Sequence, residues 1–409
     1  MSIKSTNART MTNNTYSSYN KLLCQLVRAI VNPSYTIDYN LFKFVDWNVV
    51  KRKAMQQGIS ALVFDAISNM PDDFWPPKRI RIQWIREVVQ QENIYLKHAN
   101  VIAELTSFYE SHDIKMMLLK GWGLSLNYPK PCHRQNGDID IWLYGNQVKG
   151  DSILEKEKGI HPIKSSHHTI FYYDGIEVEN HITFIEVDCH KADGSEDIIM
   201  RYANEPAIKV DGINGKTILL PPPNLNAFFL LRHSSAHFAT SGICLRHLLD
   251  WGFFVEKHYD NIDWKELYCN AHSKNMHVFL DCINAICVEH LGFTKGKFPI
   301  QKSHIQLQNR IWKDILNPEF SVNAPPMRKN FVKYCYVKTQ RHFANKWKHD
   351  ITYNEHFFIT LLRFAWNRIK SPYSFGDIIN KNNKYEKMVY LCAWYNHRCY
   401  TYICFRILR

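Results

Sequence analysis

The chain has 409 residues, 45% of them hydrophobic and 22% charged, which supports one large core or two to three smaller ones and excludes an intrinsically disordered chain. Its first residues lack the apolar stretch of a secretory signal, no run of 18 uncharged apolar residues occurs, and the 11 cysteines show no CxxC spacing, so neither a secretory signal nor a membrane-spanning helix is expected, zinc is not suggested, and a cytoplasmic protein with reduced thiols is expected. The net charge of +13 sits at one end: residues 301–409 hold 19 Lys and Arg against 6 Asp and Glu, leaving 32 of each sign before them.

In chain order, residues 1–14 are polar and read as a disordered tail. Residues 15–110 read as an N-terminal helical region: Tyr19, Leu22, Leu23, Leu26 and Ile30 recur at helical spacing, as do Ile80, Trp84, Ile85, Val88 and Val89, with Pro71, Pro76 and Pro77 as breaks. After Glu110 the period changes. Ile114–Leu119 reads as a buried strand, followed by Gly121, Gly123 and a short helix through Leu126. Ile139–Leu143 alternates like a second strand. Thr169–Tyr173 and Ile176–Glu179, joined by Asp174-Gly175, read as a hairpin, with Ile182–Val187 as a possible extension of the sheet. Helices resume near Asn224, with Asp263 placed as an N-cap. The fold class is therefore α+β: a small mixed-sheet core over residues 111–220, flanked by the N-terminal helices and by a C-terminal helical region, 221–409, basic beyond residue 300. That basic region admits a nucleic-acid partner, with Tyr334, Tyr336, Trp347, Trp366 and Trp394 interleaved among lysines; a solvated basic face with core aromatics is the plainer reading.

The chemistry concentrates at Lys120-Gly-Trp-Gly-Leu-Ser125 and Gly137-Asp-Ile-Asp-Ile141. Gly121 and Gly123 after a buried strand let backbone approach a phosphate, and the helix that follows, through Ser125, offers amides to an anion. Asp138 and Asp140 stand two apart on a strand, so both carboxylates share one face. Two such acids repel unless a cation bridges them, and Mg²⁺, which keeps substrate phosphates among its oxygen ligands, suits them. Lys120 and Arg134 are candidates for phosphate contacts. His167 and His168 could reach the site but read more simply as structural histidines; His233 and His237, at a spacing that can bind zinc, read rather as structural or acceptor-pocket residues, and Arg246 with Asp250 as a helix-face pair.

The segments Leu119–Ser125, Tyr128–Pro131 and Arg134–Ile141 resemble the nucleotidyltransferase superfamily of DNA polymerase β type, and more closely the bacterial nucleotidyltransferase family 5. His167-His168, Val178-Glu-Asn-His181, Pro222–His233 and Leu245–Trp251 fit the same resemblance, which spans roughly residues 60–300. It implies Mg²⁺-dependent transfer of a nucleoside monophosphate from an NTP, with Asp138, Asp140 and a third carboxylate as catalytic metal ligands. Glu179 is preferred for the third and Asp188 is the alternative. The acceptor reads first as a sugar phosphate or glycan precursor and second as protein or tRNA; a non-catalytic nucleic-acid-binding module is the reading from another class.

Overall fold

The computed structural model describes residues 18–165, 167–185, 193–212, 215–317, 331–360 and 362–363. A first helix, α1 (residues 18–31), is followed by α2 (Trp47–Gln56), capped by the Asp46 side chain, and α3 (Ser60–Ser68). The 33-residue α4 (Lys78–Glu110) starts directly after Pro76-Pro77, where proline cannot continue a preceding helix but suits a following one. Then come β1 (Met117–Leu118), the single turn α5 (Trp122–Ser125), β2 (Ile139–Trp142), α6 (Gln147–Lys158), β3 (Ile163–Lys164), β4 (His168–Tyr173), β5 (Ile176–His181), α7 (Ser195–Tyr202), β6 (Ile208–Asp211) and β7 (Thr217–Leu220). The C-terminal part is helical: α8 (Pro223–Thr240), α9 (Leu245–His258), α10 (Trp264–Ser273), α11 (His277–Ile286), α12 (Ile305–Leu316), α13 (Phe331–Ala344) and α14 (Lys346–His349).

The strands form one mixed sheet in the order β3-β4-β5-β2-β1-β7-β6. β2 runs parallel to β5 and β1 parallel to β7, while the other pairs are antiparallel. Asp174 (φ 48°) and Gly175 (φ 71°) both take the left-handed conformation that a two-residue hairpin turn demands, so the β4–β5 hairpin forms as the Asp-Gly signal predicts. Asp263 caps α10 as expected, accepting from the Glu266 N–H at 2.9 Å. The expected strand 114–119 is paired only at Met117 and Leu118. The expected extension beyond β5 does not form over residues 182–185. The Ile182 N–H still reaches the His167 carbonyl in the β4–β5 register (2.8 Å), but the Thr183 N–H converges on the same carbonyl (3.1 Å), and the ladder ends there. Residues 186 and 187 lie outside the described residues, as do residues 1–14. β3, exposed at both positions, the edge strand β6 and its neighbour β7 carry no alternation strong enough to announce them in the sequence.

Two apolar cores hold the molecule. The larger is built from α1–α3, α7–α12 and the first half of α4, through Trp84 and Val88; the smaller packs Ala99, Ile102, Leu105 and Tyr109 of the second half of α4 on Ile139, Ile141, Val178 and Ile218 of the sheet. α4 thus belongs to both cores. In the basic C-terminal part, Lys348 is buried and paired with Asp314 (2.6 Å), so that cation is spent internally, while the exposed Arg310 lies over the Trp347 ring at 3.9 Å. Trp347 packs against the larger core, whereas Tyr336 is exposed; Trp366 and Trp394 lie outside the described residues. Among the described residues no helix is long and apolar enough to cross a membrane.

Gly252 lets α9 approach Phe293: a Cβ there would lie 2.3–2.4 Å from two ring carbons. Phe293 is itself buried against Phe253 and Phe298, so the ring has nowhere to turn. Gly252→Val should therefore destabilise the fold by about 1–3 kcal/mol through overpacking, read as a lower urea midpoint at unchanged m-value. An unchanged midpoint would show that the ring yields.

Candidate active site

The parallel ladder between β2 and β5 pairs Asp140 with Glu179. Period two then sets Asp138 on the face of Asp140, while Ile139 and Ile141 enter the smaller core on the other face. One carboxylate oxygen from each of Asp138, Asp140 and Glu179 lies within 4.8 Å of the others, so the structure brings together the three acids singled out in the sequence. Asp188 lies outside the described residues.

Lys120 reaches this group because Leu119 N–H donates to the Asp140 carbonyl (2.9 Å), fixing the end of β1 beside β2. Its Nζ sits 2.8 Å from Asp140 Oδ1. His181, two residues after Glu179 and on the same face, brings Nε2 to 3.0 Å from the same oxygen. Burial alone would pull the Lys120 ammonium down, but Asp140, Asp138 and Glu179 together hold it above its ordinary value. Burial likewise pushes Asp140 up, and Lys120 and His181 overcome that and hold it well below the usual carboxylate range. His181 is lowered by burial yet raised overall to about 9 by Asp140 and Glu179. Asp138 has no such ion pair among the described residues: burial first, then the charges of Asp140 and Glu179, push it up to about 7, the more distant charge of Lys120 offsetting them only in part. Burial raises Glu179, and the His181 ring beside it brings it below its ordinary value.

The glycine turn has a packing logic. Gly121 adopts φ 54°, ψ −115°, and a Cβ there would press on the Asp138 carbonyl at 3.3 Å. Gly123 lets α5 settle on β7, where a Cβ would meet Leu220 at 2.8 Å. The Gly123 and Ser125 N–H groups donate to the Lys120 and Gly121 carbonyls (3.1 and 3.3 Å), and the buried Ser125 hydroxyl donates to the Trp122 carbonyl at 2.5 Å.

Arg134 is buried and turned toward α9. Its Nε and Nη2 donate to both oxygens of Asp250 (2.7 and 2.9 Å), and Nη1 donates to Asn136 Oδ1 (2.7 Å). Tyr128 hydroxyl also donates to Asp250 (2.6 Å), and Arg246 Nη1 to the Gln135 carbonyl (3.2 Å). The helix-face reading of Arg246 and Asp250 is therefore corrected: each holds the loop 134–136, because the loop's buried cation and carbonyl need partners more than the two neighbours need each other. From the other side, His98 Nε2 lies 2.9 Å from the Gly137 carbonyl. Asp250 is 116 residues from Arg134, and no local pattern joins them.

His181 joins the site although its sequence context gives it no role beyond a place in the resemblance; the alternation Glu177, Glu179, His181 is the signal that sets it on the Glu179 face. His168 stands opposite His181 in the β4–β5 ladder and faces Glu179 at 3.7 Å. His167 is brought down to about 3 by burial first and then by His168 and His181. His233 is packed near Lys120, and burial followed by that ammonium lowers it well below its ordinary value; its ring touches His237 edge-on at 4.4 Å.

No curated protein matches the chain. A solved structure, an antigenic nucleotidyltransferase-like protein from Paracoccidioides brasiliensis, is 16% identical, covering 38% of this chain and 74% of that one with a TM-score of 0.27. Residues 44–292 match the family described as uncharacterised nucleotidyltransferase, a span that holds every site residue named above. With more than half its length in that match, the chain belongs to this family and is a nucleotidyltransferase.

Proposed function

We propose that this nucleotidyltransferase uses Mg²⁺ held by Asp138, Asp140 and Glu179 to move a nucleoside monophosphate from an NTP to an acceptor hydroxyl. The observation that carries the reading is the convergence of three carboxylates within 4.8 Å on one sheet face, with Asp138 left uncompensated and pushed up to about 7. Hard oxygen donors at that spacing suit Mg²⁺–oxygen bonds of about 2.1 Å. When bound, the cation supplies charge neutralisation at the α-phosphate and a lowered pKa for the attacking hydroxyl. The acceptor oxygen forms the new bond to the α-phosphorus, the bond to the bridging oxygen breaks, pyrophosphate leaves, and the hydroxyl proton goes to solvent. Lys120 holds Asp140 in the free protein and is the residue assigned to the phosphates once the cation takes its place. Gly121 and Gly123 shape the turn beneath them, and Ser125 fixes α5. Arg134 is assigned to holding the loop before Asp138, since Asp250 occupies its fork.

Calorimetry with ATP, GTP, CTP and UTP should show heat for at least one of them that requires Mg²⁺; none in any titration would overturn the proposal. Asp138→Asn should lower turnover by about a hundred-fold or more at unchanged fold, because among the described residues Asp138 is the acid of the trio with no cationic side chain in direct contact, Lys120 acting on it only from a distance. Asp140→Asn should lose activity and stability together, about 3–5 kcal/mol, since it strands the buried Lys120. Wild-type turnover in Asp138→Asn would sink the assignment.

The pH dependence follows from Asp138. Its folded value lies above the unfolded value of about 3.9, so its contribution to stability is complete below about pH 4 and is lost as pH rises through about 7. A cation that binds the carboxylate reverses that loss. The rise in thermal midpoint given by Mg²⁺ should be larger near pH 8 than near pH 6, and Asp138→Asn should level the difference. Equal increments at both pH values in the wild type would contradict it.

A further inference from the structure

We propose that His168, Glu179 and His181 form a second cation site beside the carboxylate trio, built for a borderline divalent ion (Mn²⁺, Co²⁺ or Zn²⁺) rather than Mg²⁺. The inference deepens the reading above, because Glu179 serves both sites, but its test reads metal binding and does not depend on turnover.

One donor atom from each of the three residues lies within 4.8 Å of the others. The two imidazoles flank one carboxylate: His168 Nε2 is 3.7 Å from Glu179 Oε1, and His181 Nε2 is 3.6 Å from Oε2. Those separations are longer than hydrogen bonds. They match the spacing, about 3–4 Å, of two donors sharing one ion at bonds of about 2.0–2.2 Å.

The other ring nitrogens are committed in the way metal-binding histidines commit them. His181 Nδ1 is 3.2 Å from the Thr183 carbonyl, which can only accept, so Nδ1 carries a proton and donates. Nε2 then faces the Asp140 and Glu179 carboxylates, and needs either a second proton or a cation in its place. His168 Nδ1 shares a proton with His167 Nε2 at 3.0 Å, directing its own Nε2 at Glu179.

A further shell locks the strands that carry these donors. Asp151 on α6 accepts from Thr169 Oγ1 (2.8 Å) and Asn180 Nδ2 (2.9 Å). Thr169 adjoins His168, and Asn180 lies between Glu179 and His181, so one half-buried carboxylate steadies the strands that carry all three ligands. The mixed donor set sets the ion class: imidazole suits Zn²⁺ and its first-row neighbours such as Co²⁺, Mn²⁺ is drawn chiefly by the Glu179 oxygens, and Mg²⁺ prefers oxygen alone.

The test uses the full chain with Co²⁺ and Mn²⁺ as probes. Wild type should bind Co²⁺ with a visible d–d band that survives excess Mg²⁺. Asp138→Asn, which touches only the carboxylate site, should keep that band, and His168→Gln should weaken Co²⁺ binding at least about ten-fold. Pulsed electron paramagnetic resonance of Mn²⁺ bound to wild type labelled with ¹⁵N-histidine should show ¹⁵N couplings; this readout stands even if His168→Gln fails to fold. Full displacement of Co²⁺ by Mg²⁺, or Mn²⁺ with no histidine nitrogen coupling, would overturn the site. Loss of NTP binding with the Co²⁺ band intact would instead count against the nucleotidyl-transfer reading alone.

Discussion

The parallel pairing of β2 with β5 is the constraint on which the site depends. It sets Asp140 beside Glu179, and the two-residue period adds Asp138, so three acids share a space from which water is largely withdrawn. Such a cluster is costly unless cations meet it. The protein meets it from two sides. Lys120 comes in from the end of β1 and His181 from the end of β5, and both settle on the same oxygen of Asp140. Asp138 is left without an equal partner, and its raised value marks where positive charge is missing.

The second constraint ties the sheet to the helical part. The loop before Asp138 carries a buried guanidinium, and a buried charge must be paired. Asp250 pairs it with both oxygens, Tyr128 completes the carboxylate's bonds, and Arg246 and His98 take the carbonyls of Gln135 and Gly137. A shift of α9 would therefore be felt at Asp138. The family match over residues 44–292 fits this coupling, since it covers the sheet and the helices that grip the loop as one unit. The long α4, with one half in each core, stiffens the same connection.

Much of this was legible in the sequence. Hydrophobic period changes at Glu110 and again near Asn224 bracket strands running from Met117 to Leu220. The Asp-Gly turn, the Asp263 cap and the aspartate pair depend on residues a few positions apart, and local chemistry decides them. What the sequence left open depends on distance along the chain. Arg134 reads as a free cation until Asp250, 116 residues on, is folded against it. His181 reads as a strand end until the register sets it on Asp140, 41 residues earlier. No local pattern sets Glu179 beside Asp140; the parallel register does. Sequence determined which groups exist and which share a strand face, because side-chain period is local. Tertiary structure alone decided which charges meet, because burial and pairing across the sheet fix each ion's neighbours and so its protonation.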